Sequence, residues 1–371
     1  MPFGDMAIRL VAVSLSLVGL ASLGSASAAP QPAKALEVTQ PASPAKIVAA
    51  APAKDWRTIR PRDLLVMDLP ALGQSLTPVG ESVGTGEAPV TKVAPAAPRR
   101  VIIQLIAPPY SQGWATNIRV LAAANWWDGL AIVRAQDNYV VQWGDPEAAH
   151  PQLARRLPRS LQKMPPQDYL AGPPGDCGEY ADICPPSSLS FFTSEAIRDV
   201  YADRAGFVAG WPVAVTGARS WPVHCYGTVG VGRDMAPDTG TGAELYAVIG
   251  HAPRQLDRNI AVVGRVIEGI EHLSSLPRGT AELGFYATPE EQTPILSIRL
   301  GDEVEDLPRY EYLASTSDSF ARYVKARANR HDAFYTIPAG AVDVCNVPVP
   351  IRRASAPSSE VEPGRKPARR R

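Results

Sequence analysis

Residues 132–145, IVRAQDNYVVQWGD, are the stretch that decides the fold. Two short apolar runs stand on either side of Asp137 and Asn138, two residue types that favour tight turns. Apolar runs of this length, separated by a short polar connection, are typical of two antiparallel strands joined in a hairpin. The stretch therefore predicts strands at residues 130–134 and 139–143 with a four-residue connection between them.

The predicted hairpin would bring a cation, an amide and an apolar wall close together. Arg134 cannot act as a general acid or base because its pKa stays above about 12, but its planar guanidinium can donate several hydrogen bonds. Gln142 offers one acceptor and two donors, and Tyr139 or Val140 supplies the apolar wall. These residue types predict a site that binds and polarises a substrate without a covalent intermediate. The alternative is an ordinary hairpin whose arginine meets an acid on the surface.

The sequence outside this hairpin continues the pattern of short strands. Apolar alternation predicts further strands at residues 63–69, 101–105, 227–232, 245–249, 260–266 and 295–300. Apolar spacing predicts helices at residues 111–125, 193–204, 268–276 and 315–330. Ser315 and Asp318 resemble a capping box at the start of the last helix. Short consecutive strands with two helices among them favour a mainly β protein, a closed antiparallel β-barrel capped by two helices.

Composition divides the remainder of the chain into linkers, insertions and an extension. Proline accounts for 37 of the 371 residues, about twice the usual ~5%, so much of the length must be loop or linker. We expect an Ala/Pro-rich linker, a barrel domain with two long loop insertions, a C-terminal α/β extension and a disordered basic tail. Their predicted limits are residues 29–55, residues 56–276 with insertions at 70–99 and 146–222, residues 277–346 and residues 347–371.

The first 28 residues have the features of a signal peptide. Arg9 supplies a positive charge, and the apolar run of residues 10–23 is too short to span a bilayer core of ~30 Å comfortably. Residues 26–28, Ala-Ser-Ala, fit a cleavage site. We therefore expect an exported, periplasmic protein, with an uncleaved N-terminal anchor as the alternative. No later apolar run is long enough to span a membrane, so we expect no transmembrane segment in the mature chain.

Export changes the meaning of the four cysteines, Cys177, Cys184, Cys225 and Cys345. In an oxidising compartment, four cysteines allow two disulfides with three connectivities. Cys177 and Cys184 are seven positions apart in a Pro/Gly-rich loop, which favours them as a local pair. Cys225 and Cys345 would then tie the C-terminal segment to the core, with two buried free thiols as an equally weighted alternative.

Charge and motif content exclude several classes of function. Lys+Arg and Asp+Glu both number 37, so the chain lacks the basic excess of a nucleic-acid-binding protein and we expect no nucleic-acid partner. The five histidines lack the spacing of a zinc site, and neither a phosphate-binding glycine loop nor G-x-S-x-G is present. His224 and Cys225 are neighbours that would face opposite sides of a strand, which makes them a poor catalytic pair. The sequence thus predicts neither a metal nor another cofactor.

The C-terminal tail is polar and basic. Its charged residues are Arg352, Arg353, Arg365, Lys366, Arg369, Arg370 and Arg371 against Glu360 and Glu362. Such a run is typical of a solvated, disordered tail. Weak contact with anionic lipid or an envelope polymer is the alternative.

The decisive hairpin resembles the signature of the cyclophilin-type peptidyl-prolyl isomerases. That signature runs Phe-His-Arg, with an aromatic residue five positions after the arginine, a glutamine eight after it, and Gly-Asp at ten and eleven. Arg134, Tyr139, Gln142, Gly144 and Asp145 stand at those positions.

Other motifs of the family follow in the same order. Asn117 and residues 128–130, Asp-Gly-Leu, look like the stretch that precedes the signature. Residues 236–246, APDTGTGAELY, are similar to the strand Pro-Asn/Asp-x-x-x-Ser-Gln-Phe-Phe of the family. Residues 256–266, LDRNIAVVGRV, resemble the strand Leu-Asp-Gly-Lys-x-x-Val-Phe-Gly-Lys-Val. The resemblance covers roughly residues 60–275.

The resemblance implies a cyclophilin-like barrel that isomerises X–Pro bonds in proline-containing polypeptides, here during the folding of exported proteins. It assigns catalysis to Arg134 together with Gln142. It assigns substrate binding to Tyr139, Val140, Arg233, Tyr246, Gln255, Leu256 and Ile260.

Several positions depart from the family pattern. Val133 replaces the histidine before the arginine, and tyrosines stand at two positions usually held by phenylalanine, Tyr139 and Tyr246. Glu244 replaces a glutamine. Gln255 stands where tryptophan or phenylalanine is common, and Ile260 stands where histidine is common. These changes leave a second hypothesis, a cyclophilin-like binding or chaperone module with weak or no isomerase activity.

Overall fold

The decisive hairpin lies inside a large antiparallel sheet in the computed structural model, which describes residues 42–71, 98–174 and 190–354. Within these residues the helices are α1 (Pro44–Ala49), α2 (Gln112–Ala123), α3 (Glu271–Ser274) and α4 (Asp318–Ala328). The strands are β1 (Trp56–Ile59), β2 (Leu64–Leu69), β3 (Arg99–Leu105), β4 (Ala131–Ala135), β5 (Val140–Gly144), β6 (Ile197–Arg198), β7 (Arg204–Val208), β8 (Trp211–Thr216), β9 (Arg219–Pro222), β10 (Thr228–Val231), β11 (Leu245–Val248), β12 (Val262–Glu268), β13 (Thr293–Pro294), β14 (Ser297–Leu300), β15 (Tyr310–Leu313), β16 (Val342–Asp343) and β17 (Ile351–Arg353). The eight strands expected from the sequence are all present, with ends shifted by up to two residues.

The main sheet has nine strands in the order β13-β4-β5-β11-β10-β12-β3-β2-β14. Its two outermost strands, β13 and β14, are separated only by Ile295 and Leu296. One short run of chain therefore pairs with β4 at its start and with β2 at its end. This arrangement is consistent with the expected closed barrel, and the joining strand comes from the segment assigned to the C-terminal extension.

The core of this sheet is apolar and includes both barrel helices. The inward-facing residues of the strands form one apolar cluster with α2, α3 and the residues that follow α2. The fully buried members of this cluster include Ile103, Trp114, Ile118, Trp127, Ile132, Val141, Trp143, Val263 and Leu273. Trp127 donates from its indole Nε1 to the Ala243 carbonyl at 2.8 Å, which joins the end of α2 to the chain before β11. Burial of these side chains on one face of each element is what fixes the strand register.

The insertion at 146–222 is more ordered than its composition indicates. Its second half forms a separate antiparallel sheet, β7-β8-β9. Phe207 and Trp211 are buried there, on strands rich in aromatic and β-branched residues. The expectation of a long loop insertion is wrong for this half.

The helix expected at residues 193–204 is absent. Ser194 and Asp199 instead bond to nearby backbone amides, with Ser194 Oγ accepting from Ala196 at 3.2 Å and Asp199 Oδ1 from Tyr201 at 2.7 Å. Such local hydrogen bonds stabilise turns of the backbone instead of a helix. Only the two-residue strand β6, which pairs in parallel with β16, lies in the interval before β7.

The cap of α4 also differs from the expectation. Ser317 is the N-cap residue, and its hydroxyl accepts from the Phe320 amide at 3.1 Å. Ser315 is buried and accepts from the Gly210 amide at 3.2 Å, so the expected Ser315–Asp318 capping box is wrong. The predicted helix itself is confirmed.

Both ends of the described chain are more regular than expected. Helix α1 lies in the expected linker and packs Ile47 and Val48 against a cluster that includes Phe320 of α4. Strand β17 lies in the expected tail and pairs with β15, which also pairs with β1. The predicted signal peptide, residues 72–97 of the first predicted insertion and the tail beyond residue 354 lie outside the described residues.

A disulfide joins Cys225 to Cys345. The second of the two expected cysteine pairs is therefore confirmed. The bond spans 120 positions and ties the C-terminal segment to the chain before β10. Closing so long a loop restricts the unfolded chain strongly, so the bond should favour the folded state. Cys177 and Cys184 lie outside the described residues. In the part of the chain that is described, no helix is long and apolar enough to cross a membrane.

Candidate active site

The site is built on the hairpin of β4 and β5, whose register places Arg134 opposite Gln142. A register shift after Ile132 re-aims the end of β4, a common device next to functional sites. The Arg134 guanidinium donates from Nη1 to Gln142 Oε1 at 3.0 Å. The two polar residues that the sequence singles out are therefore hydrogen-bonded partners.

The polar chain continues from Gln142 to the neighbouring strand. Gln142 lies opposite Tyr246 in the β5–β11 pairing, and its Nε2 donates to Oε1 of Glu244, just before β11. The amide of Gln142 thus accepts from a cation and donates to a carboxylate, an orientation that both charges favour.

Burial changes the acid–base properties of the two charged groups. Burial raises the pKa of the Glu244 carboxyl, against the lowering effect of the hydrogen bond from Gln142. Burial likewise lowers the pKa of Arg134, with Tyr139 and Glu244 acting in the opposite direction. Because an arginine remains protonated in proteins, Arg134 stays a cation at neutral pH.

A segment that we name the Arg134 strap, residues 278–286, runs beside the end of β4, beyond the two residues of β4 that pair with β13. Its start is bound by the Gly279 amide, which donates to the Ala135 carbonyl at 3.0 Å. Its end is bound by the Tyr286 amide, which donates to the Val133 carbonyl, also at 3.0 Å. The strap is thus fixed to backbone groups on both sides of Arg134.

The strap also contacts the guanidinium directly. Arg134 Nε donates to the Leu283 carbonyl at 2.7 Å, and Nη2 donates to the Gln136 side chain. The Phe285 ring lies over the guanidinium, with its centroid 5.0 Å from Cζ. Gly284 has a φ of +79°, and a Cβ there would lie 2.7 Å from Gln136 Cα, so only glycine fits this turn.

An apolar cluster lies beside the guanidinium. Tyr139 connects the two, because its ring centroid is 5.6 Å from Arg134 Cζ and its side chain packs on the cluster. The members of the cluster are the buried Val140, Tyr246 and Val248 and the partly buried Tyr139, Leu256 and Ile260. Five of the seven residues expected to bind substrate are therefore brought together, with Val248 in addition.

The other two expected substrate-binding residues lie outside this cluster. Arg233 donates from Nε to the Asn259 carbonyl at 3.1 Å and from Nη1 to the Asp234 carbonyl at 2.6 Å. Gln255 is exposed, and its carbonyl accepts from Asn259 Nδ2 at 3.1 Å. Both residues contact Asn259, which lies on the loop between β11 and β12. Gln255 belongs to the same loop, whereas Arg233 follows β10.

A buried polar network holds the floor of the apolar cluster. The Tyr246 hydroxyl bonds to His224 Nε2 at 2.8 Å, and His224 Nδ1 bonds to Asp257 Oδ1 at 2.9 Å. Arg254 pairs with Asp257 at 2.7 Å and with Asp199 at 2.9 Å. Burial raises the pKa of Tyr246 well above its usual value, so the hydroxyl stays protonated. The network therefore gives the Tyr246 hydroxyl, the polar group of that side chain, a hydrogen-bond partner beneath the apolar surface.

Sequence reasoning missed the strap and the role of His224. Leu283 acts through its backbone carbonyl, which no side-chain pattern reveals. In the sequence His224 stands out only as a poor catalytic partner for Cys225. In the fold its ring bonds to the Tyr246 hydroxyl and to the Asp257 carboxylate. Among the residues that the structure describes, no group of three side chains is placed to hold a metal ion.

Comparison with known proteins agrees with this geometry. The family model "Cyclophilin type peptidyl-prolyl cis-trans isomerase/CLD" matches residues 113–300, slightly more than half of the chain. The chain belongs to the cyclophilin-type peptidyl-prolyl isomerases. As a member of this family it is a peptidyl-prolyl cis-trans isomerase, and proline-containing peptides are its class of ligand.

One solved cyclophilin shows the same fold at low sequence identity, and a second matches the chain more distantly. Cyclophilin AquaCyp293 from Hirschia baltica is 18% identical with a TM-score of 0.52, over 81% of this chain and 95% of that one. A cyclophilin-type isomerase from Cryptosporidium parvum, crystallised in the presence of the dipeptide Ala-Pro, is 11% identical with a TM-score of 0.30, over 54% of this chain and 92% of that one. No curated protein sequence matches the chain significantly.

Replacement of Glu244 should reveal the cost of a buried carboxylate in this cyclophilin. Because the pKa of Glu244 is raised on folding, the free energy of unfolding falls as pH rises from about 4.3, the value in the unfolded chain, through the higher value in the folded chain. Glu244→Gln should therefore be more stable than the wild type at pH 7 and equal to it near pH 4. Urea unfolding at the two pH values measures the difference. The exposed control Glu195→Gln should change stability at neither pH, and a Glu244→Gln protein no more stable at pH 7 would contradict the account.

Displacement of the strap should slow catalysis more than it weakens binding. Gly284→Ala places a Cβ against Gln136, which should withdraw the Leu283 carbonyl and the Phe285 ring from Arg134. We expect kcat for an X–Pro peptide to fall about tenfold with a smaller change in KM, since a misoriented group costs mainly transition-state stabilisation. Gly217→Ala is the matched control, because Gly217 also has a positive φ, of +57°, but nothing within 4 Å of its Cβ position. Equal kcat values for the two variants would refute the positioning role.

Proposed function

We propose that this cyclophilin isomerises X–Pro bonds through Arg134, with the apolar cluster as the slot for the proline ring. The observation that carries the proposal is the placement of one oriented guanidinium beside a dry surface. Arg134 is bound by Gln142, Gln136 and the Leu283 carbonyl, and through Tyr139 it adjoins the buried cluster.

The chemistry needs no covalent step. Rotation about a peptide bond is opposed by amide resonance, which creates a barrier of ~18–20 kcal/mol. At the top of the barrier the bond is twisted, the prolyl nitrogen has regained its lone pair, and the carbonyl has lost its conjugation. A donor that stabilises the twisted bond more than either planar isomer accelerates both directions equally.

The hydrogen bonds of Arg134 leave it able to act as that donor. A guanidinium has five N–H groups. Among the residues that the structure describes, Leu283, Gln142 and Gln136 accept hydrogen bonds from three of them. One N–H on each terminal nitrogen is left for the prolyl nitrogen or the neighbouring carbonyl, and the three occupied groups hold the plane of the guanidinium in place.

The apolar cluster supplies the remaining part of the mechanism. Tyr139, Leu256 and Ile260 are the partly exposed members of the cluster, so a proline ring packed against them would displace water from around the reacting bond. A donor acts more strongly in such a low-dielectric setting. Gln142, which keeps one free amide hydrogen, would bind the substrate backbone.

Removal of the guanidinium tests this mechanism. Arg134→Ala should lower kcat/KM for a short X–Pro peptide by at least about 100-fold in a protease-coupled assay, the usual cost of losing an oriented donor. Arg134→Lys keeps the charge but not the planar fork, so it should recover only part of the loss. Arg219→Ala, at an exposed position on β9, should keep the wild-type rate.

An Arg134→Ala protein with wild-type kcat/KM would refute the mechanism. A wild-type protein that binds proline peptides without isomerising them would instead select the binding or chaperone function.

We also propose that the substrates are exported proteins that the enzyme meets in the periplasm. Support comes from the charged, apolar and small-residue pattern of residues 1–28 and from the Cys225–Cys345 bond, which is typical of oxidising compartments. N-terminal sequencing of the protein from the native cell envelope fraction should begin at Ala29. Recovery of the uncleaved chain from the cytosol would contradict the proposal.

A further inference from the structure

A cleft of about 610 Å³ lies away from the Arg134 site, between β1, the end of β3, α2 and the residues after β15. It shares no lining residue with the catalytic hairpin or the apolar cluster. Its volume falls in the range of about 300–1,000 Å³ that is usual for binding sites. The catalytic mechanism makes no use of it.

The lining of the cleft is strongly basic. Arg57, Arg60, Arg62 and Arg119 line it, and Asp63 is the one carboxylate among its described lining residues. Asp63 pairs with Arg60 at 2.6 Å and with Arg119 at 3.0 Å. Four cations against one anion leave a surplus of three positive charges in a concave surface, where the field is focused and attracts anions.

A further cation lies behind the wall of the cleft. Arg265 donates to Gln104 Oε1 at 3.0 and 2.8 Å and to the Gly210 carbonyl at 2.7 Å. Its Cζ is 4.4 Å from the ring centroid of Trp211, which lines the cleft together with Gln104. Burial lowers its pKa to about 10, so it remains charged at neutral pH. Within the described residues no carboxylate pairs with it, so its charge adds to that of the cleft.

One side of the cleft is an open strand edge. Among the residues that the structure describes, β1 lies at the end of the sheet β1-β15-β17 and pairs with β15 alone. Arg57, Thr58 and Ile59 of this strand line the cleft, and Arg57 and Thr58 are exposed. An edge strand has one row of backbone N–H and C=O groups turned away from its sheet, and these groups can accept another extended chain.

We propose that this cleft binds an extended acidic segment of a partner polypeptide, which adds to the free edge of β1 and places carboxylates on the arginines. Side chains of a strand alternate between its faces, so acids at every second position would face the same side. The guanidinium fork matches a carboxylate, which favours Asp and Glu over other side chains. β1 has four residues, so a partner segment of about the same length would cover it.

The probe is a fluorescein-labelled six-residue peptide that alternates Glu with Thr and Val and contains no proline, so it offers no isomerisable bond to the Arg134 site. We expect saturable binding in fluorescence anisotropy that weakens as NaCl is raised. The same peptide with Gln for Glu should bind at least tenfold more weakly. A charge-matched peptide with N-methyl groups at alternate residues should also lose binding, because it cannot pair with a strand edge.

Charge variants locate the binding site. Arg57→Glu and Arg62→Glu should each raise the Kd of the acidic peptide at least tenfold. Asp63→Asn removes the lining carboxylate and should lower the Kd several-fold. Arg219→Glu is the matched control, since Arg219 is exposed but does not line the cleft, and it should leave the Kd unchanged. Circular dichroism of each variant confirms that it is folded.

Two results would overturn the proposal. If the Arg57 and Arg62 variants bind like the wild type, the cleft is not the site. If inorganic tripolyphosphate competes fully and the N-methylated peptide binds as tightly as its parent, the cleft is a site for small anions and the strand edge has no part in it.

Discussion

The hydrogen bond from Arg134 to Gln142 is the interaction on which the site depends, because it exists only when β4 and β5 pair in one register. A slip of one residue between the strands would place the two side chains on opposite faces of the sheet. The apolar residues that alternate with them, Ile132, Val141 and Trp143 among them, are fully buried and prevent that slip. The packing of the core therefore fixes the geometry of Arg134, the group that we propose to be catalytic.

The residues that depart from the family pattern around the proposed proline slot change its polarity without opening it to water. Tyr246 adds a hydroxyl to the floor, but His224 and Asp257 bind that hydroxyl inside the protein. Glu244 adds a carboxylate, but it lies at the end of the chain of polar groups that begins at Arg134. The slot is thus apolar where a proline ring would lie and polar where a twisted peptide bond needs a donor.

Local patterns in the sequence predict most of this site and most of the barrel. Strands such as β4 and β5 are short apolar runs, and their pairing follows from the short connection between them. The strap could not be predicted, because Leu283 acts through a carbonyl and Gly284 is needed only once Gln136 lies beneath it. The sheet β7-β8-β9 could not be predicted from local sequence, because the surrounding insertion is rich in proline and glycine. Its short strands depend on tertiary contacts that local patterns do not show.

The most direct test of the account is the rate at which a bound peptide changes isomer, measured by two-dimensional exchange NMR on a labelled X–Pro peptide at saturating enzyme. The account predicts exchange cross-peaks between the bound cis and trans forms with the wild-type protein. With Arg134→Ala it predicts that both forms still bind but that the cross-peaks vanish. Cross-peaks of unchanged intensity in the variant would show that the barrier is lowered by some other group, and would contradict the central role of the guanidinium.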